Sequence, residues 1–333
     1  MNTSFHFKKL LTIACLVTCS LAIAAEQQQQ PYKIRWVLAH QPARVFERAA
    51  KNFAAEIEKN SKGRVVVEIS GLDKNGEGIV LSPSDAFGKV QRGDVEMCQT
   101  YTTYLGLLNR SMWALDLPYL FKDHEHATRV LDGKIGARIL AGLDGKGVKG
   151  MAFTYSGGYR IIPTANKPIT KVEDFKDLKI KVSESPVASA YLKELGANPV
   201  NIEDADHYAK GVDGYETTYA RLENIAGDKS TYINETGHSL FLTSIIINKN
   251  FYDKLPADLK KIVADAVLRT AKLEREDSIL DGAKAKEEYI KKGIKVETLS
   301  AKERARLMEI AEKVQKKFDN FFPAHLVSDI KHQ

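Results

Sequence analysis

Hydrophobic and polar positions alternate from Tyr32 to Leu38 (YKIRWVL), the period of a half-buried strand. Over 45–59 the period changes. Phe46, Ala49, Phe53 and Ile57 recur three or four positions apart, which predicts an amphipathic helix. Lys62-Gly63-Arg64 reads as a turn and 65–69 as a second strand. A β-α-β order of this kind begins a parallel sheet covered by helices. Next come a Gly-, Asp- and Asn-rich loop (71–84), a short helix (84–92) and a strand (95–99). An apolar run over 113–121 reads as buried, 124–140 as a helix and 149–154 as a strand. The second half repeats the style. It predicts a strand at 179–182 and a helix at 187–195 that Gly196 ends. One long strand or a strand pair follows over 238–248, then a charged helix from Pro256 to about Lys291, and a final amphipathic helix over 302–320. No repeat of solenoid period is present.

The N-terminus changes the picture. Lys8 and Lys9 precede an apolar run from Leu10 to Ile23, and Ala22-Ile23-Ala24 fits a signal-peptidase site. The run is shorter than the roughly twenty residues of a membrane span. The expectation is a leader over 1–24, a flexible glutamine-rich tail over 25–31, and export. Cys15 and Cys19 leave with the leader, so Cys98 remains alone and no intrachain disulfide forms. The formal charge of +6 loses two lysines and becomes +4, with basic residues scattered among acids, which gives nucleic-acid binding no support.

Catalytic signatures are missing. There is no nucleophile elbow and no phosphate-binding loop, and the glycines over 142–147 lie in a polar loop before a strand. The stretch DKNGEG resembles part of a calcium loop, yet its twelfth position is Ser84, where a bidentate glutamate belongs, so it reads as a surface loop. His124 and His126 point different ways on a helix and read as solvated surface, and Cys98 reads as inert core. No metal or cofactor is expected.

An exported α/β chain of two lobes without catalytic motifs suggests a periplasmic binding protein. The run Asp116-Leu117-Pro118-Tyr119-Leu120-Phe121 resembles one found in the solute-binding proteins of TRAP transporters, the dicarboxylate-binding family. So do Gly157-Gly158-Tyr159-Arg160 with Ala165-Asn166-Lys167-Pro168, and Glu173 through Val182 with Glu184-Ser185-Pro186. Leu195 through Pro199, Gly211-Val212-Asp213-Gly214, and Ile247-Asn248-Lys249 complete the series in the family's order. The resemblance implies two α/β lobes joined by crossing strands and a long helix that spans both. A ligand in the cleft would draw the lobes together, and the loaded protein would dock on a membrane permease. The expected division is 32–154 with about 244–282 for one lobe, and 155–243 with about 283–333 for the other. A monomer in the periplasm is expected, and organic acid binding with it.

The same resemblance places the site. Lys181 stands where the family usually has an arginine that grips a substrate carboxylate through two parallel hydrogen bonds; a lysine is a point charge and cannot make that fork. Arg160 matches a position that contacts carboxylates in some members. Glu216 keeps the family's acid, while Thr217 replaces a ligand-contacting asparagine, and the acidic stretch 201–210 with His207 is a few residues short. His40 follows the first strand, and Gln99, Tyr101 and Thr102 follow a strand end, where open α/β sheets bind ligands. Two readings stay open. Lys181 faces an acid that Arg160 anchors, or the pocket takes a polar ligand without a carboxylate, held by Tyr101, Tyr155, Tyr215 and Tyr219. A third role for Lys181 is a plain pairing with Glu184 or Glu216. Presenting the ligand to a sensor protein, and an enzyme on the same fold, are the other function classes.

Overall fold

The computed structural model describes residues 30–39, 44–70, 82–202, 211–222 and 228–333. The leader, His40, most of the calcium-like loop and His207 lie outside the described residues.

Among the described residues two sheets form. The first holds β1 (Tyr32–Leu38), β2 (Val65–Ser70), β3 (Met97–Tyr101), β4 (Val148–Tyr159) and β10 (Leu240–Asn248) in the order β2-β1-β3-β10-β4. The second holds β5 (Ile162–Thr164), β6 (Lys179–Val182), β7 (Asn198–Asn201), β8 (Gly214–Tyr215), β9 (Tyr232–Glu235) and β11 (Lys295–Thr298) in the order β11-β9-β5-β8-β6-β7. β1 runs parallel to β2 and β3, as the β-α-β reading requires, and β10 runs antiparallel between β3 and β4. The first helix (Arg44–Ser61) buries Phe46, Ala49, Phe53 and Ile57, the four positions of its apolar stripe.

β4 extends past the expected 149–154 and leads into β5 of the second sheet. Its pairing with β10 jumps from Leu242–Tyr155 to Phe241–Gly158, so Ser156 and Gly157 bulge out. Glycine is required there. Gly157 has φ of +89°, and a Cβ on it would lie 2.2 Å from Thr218 Oγ1. The bulge lets Thr218 donate to the Ser156 carbonyl at 2.7 Å and swings Arg160 out of the first sheet.

The long helix (Ala257–Lys291) has 35 residues and is about 52 Å long at 1.5 Å per residue. Leu259, Val263, Ala266 and Ala271 pack under the first sheet, whereas Ala285 and Tyr289 pack with Tyr215 and Ile233 of the second. The helix therefore spans both. Between these apolar ends its buried face turns polar at Thr270, Glu274, Arg275 and Ser278. The last helix (Leu326–His332) returns to the first half, with Leu326 and Ile330 against Met112 and Ile139.

Three expectations change. The helix over 124–140 is two helices, His124–Leu131 and Lys134–Ala141, because Asp132 leaves the first to take both arms of Arg275 at 2.8 and 2.5 Å. His126 is not solvated. It is fully buried, with Nδ1 accepting from the Lys122 N–H at 3.1 Å and Nε2 donating to the Ile330 carbonyl at 2.8 Å. β3 starts at Met97 because Glu96 is bent away, its carboxylate taking the Arg35 backbone N–H at 2.8 Å and the guanidinium at 2.8 and 2.6 Å. Cys98 is buried, which pushes its thiol well above the usual range and keeps it inert.

Glu274 is buried where the long helix passes under β3 and β4. It accepts from the Tyr155 N–H at 2.8 Å and from Gln99 Nε2 at 3.1 Å. Burial pushes its carboxyl up to about 8. A group raised in this way stabilises the fold fully below its unfolded pKa and loses that contribution as pH rises through the folded one. We expect the unfolding free energy read from urea curves to fall between pH 5 and pH 9 in the native protein, by an amount on the order of a few kcal/mol. Glu274→Gln should flatten that fall; parallel curves for the two proteins would contradict the assignment.

Candidate functional site

Arg160 lies where the two sheets meet and is 1% exposed. Its backbone N–H donates to the Ser239 carbonyl at 2.8 Å, which fixes where the side chain starts. Nη2 donates to Asp116 Oδ1 at 3.1 Å, and Nη1 donates to Ser183 Oγ at 3.3 Å. Nη1 stands 3.7 Å from Glu216 Oε2, and the guanidinium carbon lies 3.8 Å from the centre of the Phe241 ring. Nε is buried with no hydrogen-bond partner. The site thus draws on the Asp116 run, the ends of β6 and β8, and β10.

The second layer is a histidine. Glu216 Oε1 and His238 Nε2 are 2.7 Å apart, and His238 Nδ1 lies 2.7 Å from Thr236 Oγ1. Burial alone would raise Glu216. Arg160, the bond from His238 and the charge of Lys181 outweigh it and hold the carboxyl below its ordinary value. Asp116 goes the other way. Burial raises it, and the nearby Glu216 charge adds to that against the pull of Arg160. One carboxylate is therefore the firm counter-ion, although Asp116 makes the shorter contact.

An aromatic wall stands beside this charge cluster. Tyr101 ends β3 and stacks on Phe241 with ring centres 4.8 Å apart. Phe46, in the first turn of the helix after β1, meets Tyr101 edge-on at 6.4 Å. Both therefore sit at the carboxyl ends of parallel strands, the usual ligand position of an open α/β sheet. Arg221, on a one-turn helix (Tyr219–Leu222), reaches over from the other side, its guanidinium carbon 5.9 Å from each of these two rings. Trp113 links the two halves, its Nε1 donating to the Thr103 carbonyl at 2.7 Å and to the Glu184 carbonyl at 3.2 Å.

The structure brings Arg160, Glu216 and Tyr101 around one place. Thr217 adjoins them, but its backbone is bridged to Ile161 in both directions, at 2.8 and 3.1 Å. Lys181 is half-buried, pairs in register with Tyr215, accepts the Glu216 N–H on its carbonyl at 2.9 Å, and is engaged rather than free. Tyr215 is buried among Ile161, Tyr219 and Ile233. Gln99 sits deeper, its Nε2 shared among Thr154, Thr243 and Glu274 at 3.0 to 3.1 Å. Tyr155 lies in the first core, and burial pushes its hydroxyl up to about 12. Sequence reasoning passed over Asp116, His238, Phe241 and Arg221. Asp116 did leave a signal, a lone acid between Leu115 and Leu117 in a run already read as buried. Among the described residues no group of three or more His, Cys, Asp or Glu side chains could hold a metal ion.

A sequence profile for the bacterial extracellular solute-binding proteins of family 7 matches residues 38–320. The C4-dicarboxylate-binding periplasmic protein DctP of Rhodobacter capsulatus is 28% identical over 247 residues, 72% of each chain. The 2,3-diketo-L-gulonate-binding periplasmic protein YiaO of Escherichia coli is 26% identical, over 71% of this chain and 74% of its own. Among solved structures, the sugar acid binding protein DctPAm of Advenella mimigardefordensis in complex with galactonate superposes with a TM-score of 0.83 at 23% identity, over 91% of this chain and 97% of its own. A TRAP periplasmic solute binding protein of Ochrobactrum anthropi superposes with a TM-score of 0.79 at 26% identity, over 90% and 94%. With the profile spanning most of its length, this chain belongs to the bacterial extracellular solute-binding proteins of family 7.

Proposed function

We propose that the protein is a periplasmic receptor that captures a small carboxylate-bearing molecule and delivers it, unchanged, to a TRAP-type permease. The observation that carries the reading is the pairing of buried Arg160, with its unpartnered Nε, and an aromatic wall at the strand ends. A buried N–H without a partner is costly, so a ligand that accepts from it gains affinity. Lys181 and Arg221 add positive charge around the same place. The named relatives bind acids, which fits. One observation favours the second reading, a polar ligand without a carboxylate. Asp116 and Glu216 already face Arg160 and offset its charge. The lobes we assign are 32–154 with about 244–282, and 155–243 with about 283–333, closing about the β4 bulge, β10 and the long helix. Among the described residues no helix is long and apolar enough to cross a membrane.

Titration calorimetry of the exported protein tests this. With succinate, galactonate, glucuronate and their uncharged amides or sugars as titrants, we expect one acid to bind at one site and to be recovered chemically intact. Binding of uncharged compounds alone would favour the second reading, and conversion of a bound acid would make the protein an enzyme.

The charge cluster makes its own prediction. Removing the firm counter-ion strands a buried guanidinium, so Glu216→Gln should lower the unfolding free energy by about 3 kcal/mol. Asp116→Asn should cost clearly less. Urea unfolding at pH 7 compares them, and the reverse order would show that Asp116 carries the charge.

A further inference from the structure

We infer that Trp113 is a latch between the two halves: its indole N–H, shared between a carbonyl of each, holds the closed form and sets how long a bound ligand stays. The inference rests on the acid-receptor reading above and adds to it a positioning residue that governs release.

Trp113 is seated from its own side. It lies on the short helix Ser111–Ala114, and its ring stacks on Phe321 with centres 6.1 Å apart. Phe321 packs on the first core, and the Arg110 guanidinium carbon lies 5.0 Å from its ring centre. The indole edge rests on Gly106, where a Cβ would lie 2.1 Å from Nε1. Gly106 has φ of −57°, which any residue adopts, so glycine serves the close approach and not the backbone. The edge then meets the end of the one-turn helix Thr102–Leu105. Gly106 and Leu107 donate their N–H groups to the carbonyls of Thr102 and Tyr104, at 2.9 and 3.1 Å, and pass over Thr103. The indole N–H takes the Thr103 carbonyl at 2.7 Å.

The same N–H reaches the Glu184 carbonyl at 3.2 Å. Glu184 lies between β6 and the helix Pro186–Glu194, in the half we assign opposite Trp113. A shared bond of this kind suits a latch. When the halves part, the N–H keeps its shorter bond to Thr103, so opening strands no buried donor. Only the longer bond is lost, which makes the gain of the closed form small and reversible. The contact also sits where a ligand would be felt. Ser183, just before Glu184, accepts from Arg160 Nη1 at 3.3 Å. Ser185, just after it, caps the next helix, its Oγ accepting from the Ala188 N–H at 3.2 Å. That helix packs against Ser111–Ala114, and Val187 in its first turn is buried with the first core. One loop thus touches the charge cluster through Ser183 and Trp113 through Glu184. A ligand on Arg160 and the latch favour the same position of that loop, so the latch acts on retention and leaves the first encounter alone.

The test follows binding and release of succinate, galactonate and glucuronate by stopped flow in the exported protein, with an environment-sensitive dye on Lys193→Cys, an exposed position. Trp113→Phe keeps a ring against Phe321 and loses the N–H. For the acid that binds most tightly, we expect this variant to speed release about threefold or more, the worth of one weak hydrogen bond, and to leave the association rate within about twofold. Gly106→Ala pushes the indole edge off its seat and should speed release about twofold or more. A smaller rise in a Trp113→Phe variant that melts within a few degrees of the native protein overturns the latch and leaves the acid-binding reading standing. A rise matched by an equal fall in the association rate overturns it as well, because the substitution would then have damaged the site itself. Should Trp113→Phe fail to fold or melt far lower, Gly106→Ala decides alone. If none of the three acids binds, the acid-binding reading and this inference fall together.

Discussion

A guanidinium that is almost fully buried must find its counter-charge inside the protein, and Arg160 sets that requirement at the point where two sheets meet. An uncompensated charge in such a place costs several kcal/mol. Asp116, Ser183, Glu216 and the Phe241 ring answer it, each from a different stretch of chain. His238 then holds Glu216, and Thr236 holds His238. Satisfying one charge thus brings together the Asp116 run, the ends of two strands in the second sheet, and the crossing strand β10. The site is a by-product of this convergence, because the same strands end beside Tyr101 and Phe46.

The crossing itself carries the features that the proposed closure would need. β4 passes from one sheet toward the other through two residues that pair with nothing in β10, and Gly157 allows Thr218 to come close at that point. Under the crossing, the middle of the long helix is polar, with Glu274 bonded to the Tyr155 backbone and Arg275 bonded to Asp132 and the Phe153 carbonyl. Hydrogen bonds can be re-formed in a new geometry more readily than an interdigitated apolar core can be repacked. A helix with apolar ends and a polar middle can therefore serve both sheets while they move against each other.

Much of this was legible in the sequence. Where a periodic stripe decides the outcome, as for Phe46 to Ile57 in the first helix, the element is found within a residue or two of its expected bounds. The long helix and the strand of Lys181 follow their patterns equally well. What escaped depends on partners remote in the chain. The break at Asp132 answers Arg275, and the burial of His126 answers Ile330. The resemblance singled out Arg160, Lys181 and Glu216, but local patterns could not tell that Gln99 would be taken up by Glu274, or that Arg221 would cross to the far sheet. A cation in a polar stretch looks like solvated surface until the fold shows what lies opposite.

The central claim is that the two halves close on a bound acid, and an interspin distance tests it most directly. Cys98 is buried, so labels attach to cysteines introduced at the exposed ends of the first helix and of the helix Pro186–Glu194, as Lys59→Cys and Lys193→Cys. The account predicts a broad, longer distance distribution without ligand and a narrow, shorter one with saturating acid. One unchanged distribution under both conditions would contradict it.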